Sequence, residues 1–302
     1  MLDILTRAGC YIAIIVLGIV LRAVGFFKEE DFKVLSKIVI RITLPAAIIS
    51  SAAGREIAPQ LLFISGIGLA GGLLYMVLGY LLGRKGGKEQ KAFCLLNLPG
   101  YNIGNFALPF TQSFLGSTGV LITCLFDVGN AFVCLGGSAG VAQAINAGNG
   151  FDWKRVLRSL GRSVPFLVHI LVVTLNLLHI PMPGAIVSCA GIIGNANAFL
   201  AMLMIGVGFK LDLNKAQLGM IAKMLAVRYA VAAVLALLCY YVLPFDPEVR
   251  KTLVLLVVAP IGAAVPGFTA EIDGDVGLSC SINSAAIVIS IVITVVLLVV
   301  ML

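Results

Sequence analysis

Residues 97–110 read NLPGYNIGNFALPF and interrupt a chain that is otherwise rich in leucine, valine, isoleucine and alanine. These fourteen positions hold two prolines, two glycines and three asparagines. Proline removes a backbone donor and blocks a helical turn, and polar groups are costly in hydrocarbon unless they are satisfied. A membrane helix of this composition is therefore expected to be open near its middle, inside protein or beside a wet cavity.

The composition places this segment in a membrane protein. Of 302 residues, 60% are apolar and 12% are charged, with a mean hydropathy of +1.09. Soluble domains have about 45–50% apolar and about 25% charged residues. The seven cysteines show no metal-ligand or disulfide spacing. The net charge of +7 is spread among short loops. This charge therefore indicates a positive-inside bias and not nucleic-acid binding.

Apolar windows predict an all-α polytopic protein with ten transmembrane helices, here called spans 1 to 10. They lie at 8–27, 38–54, 60–83, 91–112, 117–142, 163–180, 185–209, 218–243, 251–270 and 277–302. Residues 1–142 form a first five-helix repeat, 143–162 a cytoplasmic linker and 163–302 a second repeat.

The distribution of basic residues predicts the orientation. Fourteen lie in the loops after the odd-numbered spans: Lys28, Lys33, Lys37, Arg41, Arg84, Lys85, Lys88, Lys91, Lys154, Arg155, Arg158, Arg162, Lys210 and Lys215. The opposite side has Arg7, Arg55, Arg250 and Lys251. We expect these odd-numbered loops to be cytoplasmic, both termini to lie outside, and the protein to reside in the cytoplasmic (inner) membrane.

Internal similarity supports the two repeats. A shift of 158 positions places FTQSFLGSTG (110–119) on FTAEIDGDVG (268–277), with Thr111 on Thr269. Five helices per half is an odd number, so the halves are expected to be inverted. Inverted repeats with broken helices in matching positions are typical of secondary transporters.

Spans 4 and 9 are the matching broken pair, and Asn102 corresponds to Pro260. The predicted hinges are Pro99, Pro109 and Pro266, and the predicted substrate contacts are Asn102, Gly104, Asn105, Pro260, Gly262 and Arg228. Crossing breaks would aim half-helix ends at one point near the midplane, where N-terminal ends favour an anion. The alternative is two kinked helices without a ligand.

Ionisable residues deep in the spans are functional candidates. Asp127 and Asn130, three residues apart in span 5, are the predicted site of a coupling proton or cation, with Asp127 as its carrier. Arg228 in span 8 is expected either to attract an anionic substrate or to pair with Asp127. His169 and His179 have no second ligand at metal spacing and are predicted to be structural.

Small residues in spans 2 and 7 suit a helix–helix or subunit interface. The sequence contains no nucleophile elbow, zinc-protease motif or Walker loop. An enzyme, a metal site and a cofactor are therefore not predicted.

These motifs resemble the auxin efflux carrier family along nearly the whole chain. The similar segments are LPAAII in span 2, LAMLMIGVGFKLD in span 7, the Asn102-to-Pro109 spacing, Pro260-Ile261-Gly262, and Pro266, Phe268 and Ala270-Glu271. Tyr101 stands where members often carry a proline. The resemblance implies a homodimer, for which spans 2 and 7 would supply the interface, and an elevator-like motion. Spans 1, 2, 6 and 7 would form a scaffold, spans 3–5 and 8–10 a transport domain, and Asn102 would contact the substrate carboxylate.

The resulting hypothesis is a secondary transporter, a permease or efflux carrier, of a small organic anion. A carboxylate would bind between spans 4 and 9, with H⁺ or Na⁺ coupling. One alternative is a sodium-coupled carrier similar to the bile acid:sodium symporters. Another, from a different class, is a membrane sensor or scaffold with a vestigial ligand site.

Overall fold

The computed structural model describes residues 2–28, 30–52, 58–148, 150–210 and 217–302. Arg55 and Lys215, counted above for orientation, and residues 211 and 212 of the span 7 motif lie outside these ranges. The described residues form helices and connecting segments, with no β-strand among them. The all-helical fold class is thus confirmed for this part of the chain.

The helices follow the chain in this order: α1 Leu2–Ala23, α2 Asp31–Ile38, α3 Leu44–Ala52, α4 Phe63–Gly83, α5 Gly87–Asn97, α6 Leu108–Phe132, α7 Ser138–Ala147, α8 Trp153–Arg162, α9 Val164–Leu177, α10 Gly184–Asn195, α11 Asn197–Gly208, α12 Leu218–Tyr241, α13 Pro247–Val257, α14 Val265–Glu271 and α15 Val276–Met301. Short π-helical turns occupy Val39–Thr43, Ile103–Ala107 and Val133–Gly137.

In the described part of the chain, six helical segments are long and apolar enough to cross a membrane. They are Ile4–Ala23, Pro59–Gly83, Ile103–Ala147, Gly184–Gly208, Leu218–Tyr241 and Val276–Met301. The pair α8 and α9, bent by 78°, becomes a seventh if it is one span. Helices α5, α13 and α14 are 11, 11 and 7 residues long, because spans 4 and 9 are interrupted.

Prolines explain two of the irregular turns. Leu44-Pro45 directly follows the π-helical turn Val39–Thr43, and Leu108-Pro109 directly follows Ile103–Ala107. A proline cannot donate to the preceding turn, and its ring clashes with the carbonyl four residues back. Widening that preceding turn relieves the clash while the helix continues.

Segment Ile103–Ala147 lies at the centre of the fold. Its apolar window is 72% buried, whereas the windows of the other five segments are 17–33% buried. Those five turn large apolar side chains outward, for example Val77, Val234 and Val292. Such an apolar exterior is expected of helices that meet lipid. The central segment therefore carries the polar groups that the outer helices shield.

Small residues bring the helices together within one chain. Gly194 of α10 packs on the backbone of Ala47 in α3, and Gly206 of α11 packs on Ile15 and Gly18 of α1. Glycine and alanine permit such close approach in membranes. The small residues of spans 2 and 7 therefore serve contacts inside the chain, and the predicted dimer interface through these spans stays a prediction.

The contact of α4 with α6 yields a stability test. A Cβ on Gly129 would lie 1.8 Å from the carbonyl oxygen of Ser65, whereas a Cβ on Gly66 meets nothing within 4 Å. We expect Gly129→Ala to lower the free energy of unfolding by about 1–3 kcal/mol through overpacking. Gly66→Ala, on α4 itself, is the matched control and should not destabilise. Thermal unfolding in detergent measures both, and equal melting of the two variants would contradict the packing.

Candidate functional site

The first helix break lies between α5 and the turn Ile103–Ala107. Helix α5 ends at Asn97, and residues 98–102 are not helical. Gly100 has a φ of +80°, a conformation that favours glycine. A Cβ there would lie 2.4 Å from the Cys134 Sγ atom, so the position has no room for a side chain. Backbone conformation and space therefore both require glycine at the break.

The second break lies between α13 and α14, and it meets the first. Helix α13 ends at Val257, and α14 begins at Val265. The Asn102 N–H donates a hydrogen bond of 2.8 Å to the Pro260 carbonyl oxygen. These are the two residues that the 158-position shift pairs. Each break thus satisfies a backbone group of the other, as required where water is scarce.

Arg228 of α12 binds the carbonyl groups of both breaks. Its Nη1 donates to Leu98 O at 2.5 Å, and its Nη2 donates to Gly100 O at 2.9 Å and to Ala259 O at 2.8 Å. The residue is 1% exposed. The sequence left two roles open, substrate contact or pairing with Asp127. The structure gives its guanidinium a different set of partners, the carbonyl ends of α5 and α13.

Two tyrosines complete the surroundings of this arginine. The guanidinium lies 4.9 Å from the centre of the Tyr75 ring and 5.6 Å from that of Tyr101. The Tyr75 hydroxyl also donates to the Arg228 carbonyl oxygen at 2.9 Å. Aromatic faces attract a cation, and more strongly when the pair is desolvated. The charge is therefore held between rings and carbonyl dipoles.

The Asn130 side chain hydrogen-bonds to the backbone of the first break. Its Oδ1 accepts the Tyr101 N–H at 3.0 Å, and its Nδ2 donates to the Tyr101 carbonyl at 2.9 Å. The same Nδ2 donates to Asp127 Oδ1 at 2.8 Å. The other carboxylate oxygen, Oδ2, lies 3.7 Å from His169 Nδ1. Asp127 is thus connected to the break through a single side chain.

Two cavities reach the meeting point of the breaks. One of about 240 Å³ is lined by Asn102, Gly104, Asn105, Asp127, Asn130 and Gly262, among others. Another of about 490 Å³ is lined by Asn102, Pro266 and Asn283 and extends to Arg22, Lys33 and Lys210. A third, of about 910 Å³, includes Ser50, Gln60 and Asp246. Asn102 belongs to both of the first two cavities.

Seven of the eleven predicted site residues line one of the two cavities, and the other four lie in the backbone around them or behind it. Asn102, Gly104, Asn105, Gly262, Asp127 and Asn130 share one cavity, and Pro266 lines the neighbouring one. Pro260 contributes its carbonyl to the crossing, Pro99 lies in the first break, and Pro109 is the second residue of α6. Arg228 lies behind the breaks, on their carbonyl ends.

Sequence reasoning did not select Asn283, and it predicted a structural role for His169, so it placed neither residue in this region. Asn283 of α15 donates to Gly262 O at 3.4 Å, and its Oδ1 has no hydrogen-bond partner among the described residues. His169 is buried, and neither ring nitrogen has a hydrogen-bond partner there. The polar run SCSINS (279–284) in an apolar helix was a usable signal for Asn283. A lone histidine gave none.

The described residues contain no group of three or more histidine, cysteine, aspartate or glutamate side chains that could hold a metal ion. The chemistry of the region comes from asparagine amides, backbone groups, one carboxylate and one imidazole. Such groups bind and orient a polar ligand and exchange protons.

Comparison with known proteins agrees with a transport role. Residues 11–138 match the family described as membrane transport protein. The predicted resemblance to this family is confirmed over these residues. A protein of Methanothermobacter thermautotrophicus described as an uncharacterized transporter is 24% identical over 276 residues, covering 89% of each chain. The chain is thus a multi-pass membrane transporter, and the segment matched to the membrane transport protein family contains the first break, Asp127 and Asn130.

The Arg228 contacts predict a stability defect. Arg228→Gln should lower the free energy of unfolding by about 3 kcal/mol or more, because three buried carbonyls lose donors at about 1–3 kcal/mol each. The free energy of unfolding of Arg228→Lys should lie between those of the wild type and Arg228→Gln, since an ammonium keeps the charge but lacks the planar fork of donors. Arg250→Gln, which removes an arginine bonded to the Tyr240 carbonyl, is the control. If thermal unfolding found Arg228→Gln as stable as Arg250→Gln, this role for Arg228 would be wrong.

Proposed function

We propose that the protein is a secondary transporter of a small organic anion, a carboxylate, which binds where the two breaks meet. The Asn102–Pro260 hydrogen bond at the wall of two cavities is the observation that carries the proposal. Broken helices beside a cavity are a common way to build a transporter binding site.

Electrostatics favour an anion over a cation at this point. Arg228 occupies the carbonyl ends of α5 and α13, which would otherwise attract a cation. The turn Ile103–Ala107 begins at the same place, and the backbone N–H groups of its first residues have no acceptor within the helix. Asn102 and Asn105 add amide groups beside them, and both line the 240 Å³ cavity. A carboxylate would accept hydrogen bonds from this set.

We also propose ten spans in two inverted five-helix repeats. Segment Ile103–Ala147 has 45 residues, about 68 Å of helix, whereas the hydrocarbon core is about 30 Å thick. It bends at Gly116, with φ 59° and ψ −152°, so it divides naturally into two crossings. The matched residues Thr111 and Thr269 both share a hydrogen bond with a hydroxyl of the following predicted span, Thr123 at 3.0 Å and Ser279 at 3.2 Å. Both features support the repeat.

Helix contacts support an elevator mechanism. Helix α1 packs on α11, and α3 packs on α9 and α10, whereas α4 packs on α5 and α6, and α13 on α6 and α12. In the proposed mechanism α1, α3, α9, α10 and α11 form a fixed scaffold. The other helices, together with α14 and α15, move as one unit that carries the two breaks. The 490 Å³ cavity opens beside Arg22, Lys33 and Lys210, so we propose that this conformation faces the cytoplasm.

Counterflow in liposomes tests the proposal. Liposomes that contain the purified protein and hold unlabelled lactate or succinate inside should take up the labelled acid from outside. The reason is that a carrier exchanges substrate across the membrane. Asn102→Ala should reduce that exchange at least about tenfold, since losing one hydrogen bond to a charged group costs about 1.5–3 kcal/mol. The initial rate of label uptake is the measurement.

Asn195→Ala, at an exposed asparagine of α10, is the control for folding and reconstitution. Exchange by Asn102→Ala equal to that of Asn195→Ala would exclude the assigned site. Exchange that required sodium would favour the sodium-coupled alternative. Binding of these acids without any exchange would favour a sensor.

A further inference from the structure

We propose that Asp127 and His169 form one proton-binding site, which couples proton movement to transport of the anion. The inference rests on the proposed function for its coupling role and on the pair itself for its chemistry. It replaces the prediction of a structural role for His169. It also extends the prediction for Asp127, which left the choice between a proton and a cation open.

The buried His169 ring has the Asp127 carboxylate as its polar neighbour. His169 Nδ1 lies 3.7 Å from Asp127 Oδ2, and no hydrogen-bond partner of either ring nitrogen occurs among the described residues. The histidine is 1% exposed, whereas the Asp127 side chain retains 17% exposure and lines the 240 Å³ cavity. A proton can therefore enter through the carboxylate, and the imidazole lies directly behind it.

Other ionisable groups near the pair are few. Cys124 and Cys134 interact with the Asp127 charge. Helices α3 and α11, which pack on α6, carry no ionisable side chain. Helix α8 contributes Arg155, which binds Gln143 and Glu271, and otherwise exposed basic residues.

The remaining packed elements place their ionisable groups away from the pair or on other partners. Arg41 and Tyr80 are exposed, and the Tyr75 hydroxyl is bonded to the Arg228 carbonyl. The ionisable residues of α13 lie at the start of that helix: Glu248, Arg250 and Lys251. The pair therefore depends chiefly on its own two members for charge balance.

The ligand chemistry favours a proton over sodium. A hard cation requires several oxygen ligands. Here one Asp127 oxygen already accepts from the Asn130 amide, and the other faces a ring nitrogen. One proton makes the pair neutral overall, whichever member holds it. Without that proton the pair carries a negative charge in a buried place, which is costly.

Proton binding is thereby linked to anion binding. Asp127 and Asn102 line the same cavity, so an unprotonated pair repels a carboxylate held at Asn102. A bound carboxylate in turn favours protonation, because linkage between two sites is reciprocal. Asp127 lies on α6 of the proposed moving unit and His169 on α9 of the proposed scaffold. The proton thus sits where the two units would slide past each other.

Spectroscopic titration tests the pair without any substrate. The chain has two histidines, so His179→Gln protein labelled with ¹⁵N-histidine reports His169 alone. In lipid nanodiscs its ring signal should titrate together with an infrared band of a protonated carboxyl group. Asp127→Asn should remove that band and move the His169 midpoint by about one pH unit or more. Glu248→Gln, at an exposed acid, should change neither.

Independent titration of the two groups in the His179→Gln protein would overturn the proposal, and this arm needs no substitution in the pair. An unchanged His169 midpoint in Asp127→Asn would also overturn it. So would loss of the carboxyl band on adding sodium at constant pH, which would indicate a cation site. In liposomes, an inward proton gradient should drive succinate accumulation, and His169→Gln should abolish that accumulation while His179→Gln keeps it.

The two proposals fail in different ways. Absence of succinate and lactate counterflow with a shared titration would leave the proton site standing and reject these substrates. Counterflow that no proton gradient accelerates would keep the anion carrier and reject the coupling role of the pair.

Discussion

Backbone groups that leave a helix inside a membrane must find partners, and two hydrogen-bonding arrangements provide them here. The Asn102 N–H binds the Pro260 carbonyl, and Arg228 binds three further carbonyls from both breaks. Without these bonds the breaks would leave polar groups unsatisfied in an apolar interior, at a cost of several kcal/mol each. The rings of Tyr75 and Tyr101 then hold the arginine in place. The rest of the central region is built around this cation.

The position of Arg228 also supports the proposed preference of the crossing for an anion. An arginine in the cavity would contact the anion directly, but it would leave the carbonyl ends of α5 and α13 facing each other. Placed behind the breaks, the same charge neutralises those ends and leaves the amide ends towards the cavity. The asparagines at 102, 105 and 283 can then select by hydrogen bonding, which depends on geometry more than on charge. A positively charged side chain inside the cavity is not required for anion selectivity of this kind.

Prolines, glycines and the 158-position shift were sufficient to predict both breaks and to pair Asn102 with Pro260. Such local signals act through the backbone of the same residue, so they can be read without knowing the neighbours. Arg228 and His169 could not be assigned in this way, because their partners lie on helices distant in sequence. Helix bounds failed for a related reason. The sequence predicts a break in span 9 near Pro260 but not its length: α13 and α14 are separated by seven residues, 258–264, whose carbonyl groups are bound by side chains of α12 and α15.

Tyr101, which stands where the family that the sequence resembles often carries a proline, needs a partner that a proline would not need. A proline at this position would have no N–H, whereas tyrosine brings a donor into a buried break, where it needs an acceptor. Asn130 supplies the acceptor and also binds the Tyr101 carbonyl, so one amide holds both sides of the residue. Because the same amide donates to Asp127, a change in the charge of that carboxylate alters the strength of the bond that orients Asn130. The charge of Asp127 is therefore linked, through the Asn130 side chain, to the backbone conformation at Tyr101 in the first break. Tyr101 and the proposed proton site are thus two parts of one hydrogen-bonded arrangement.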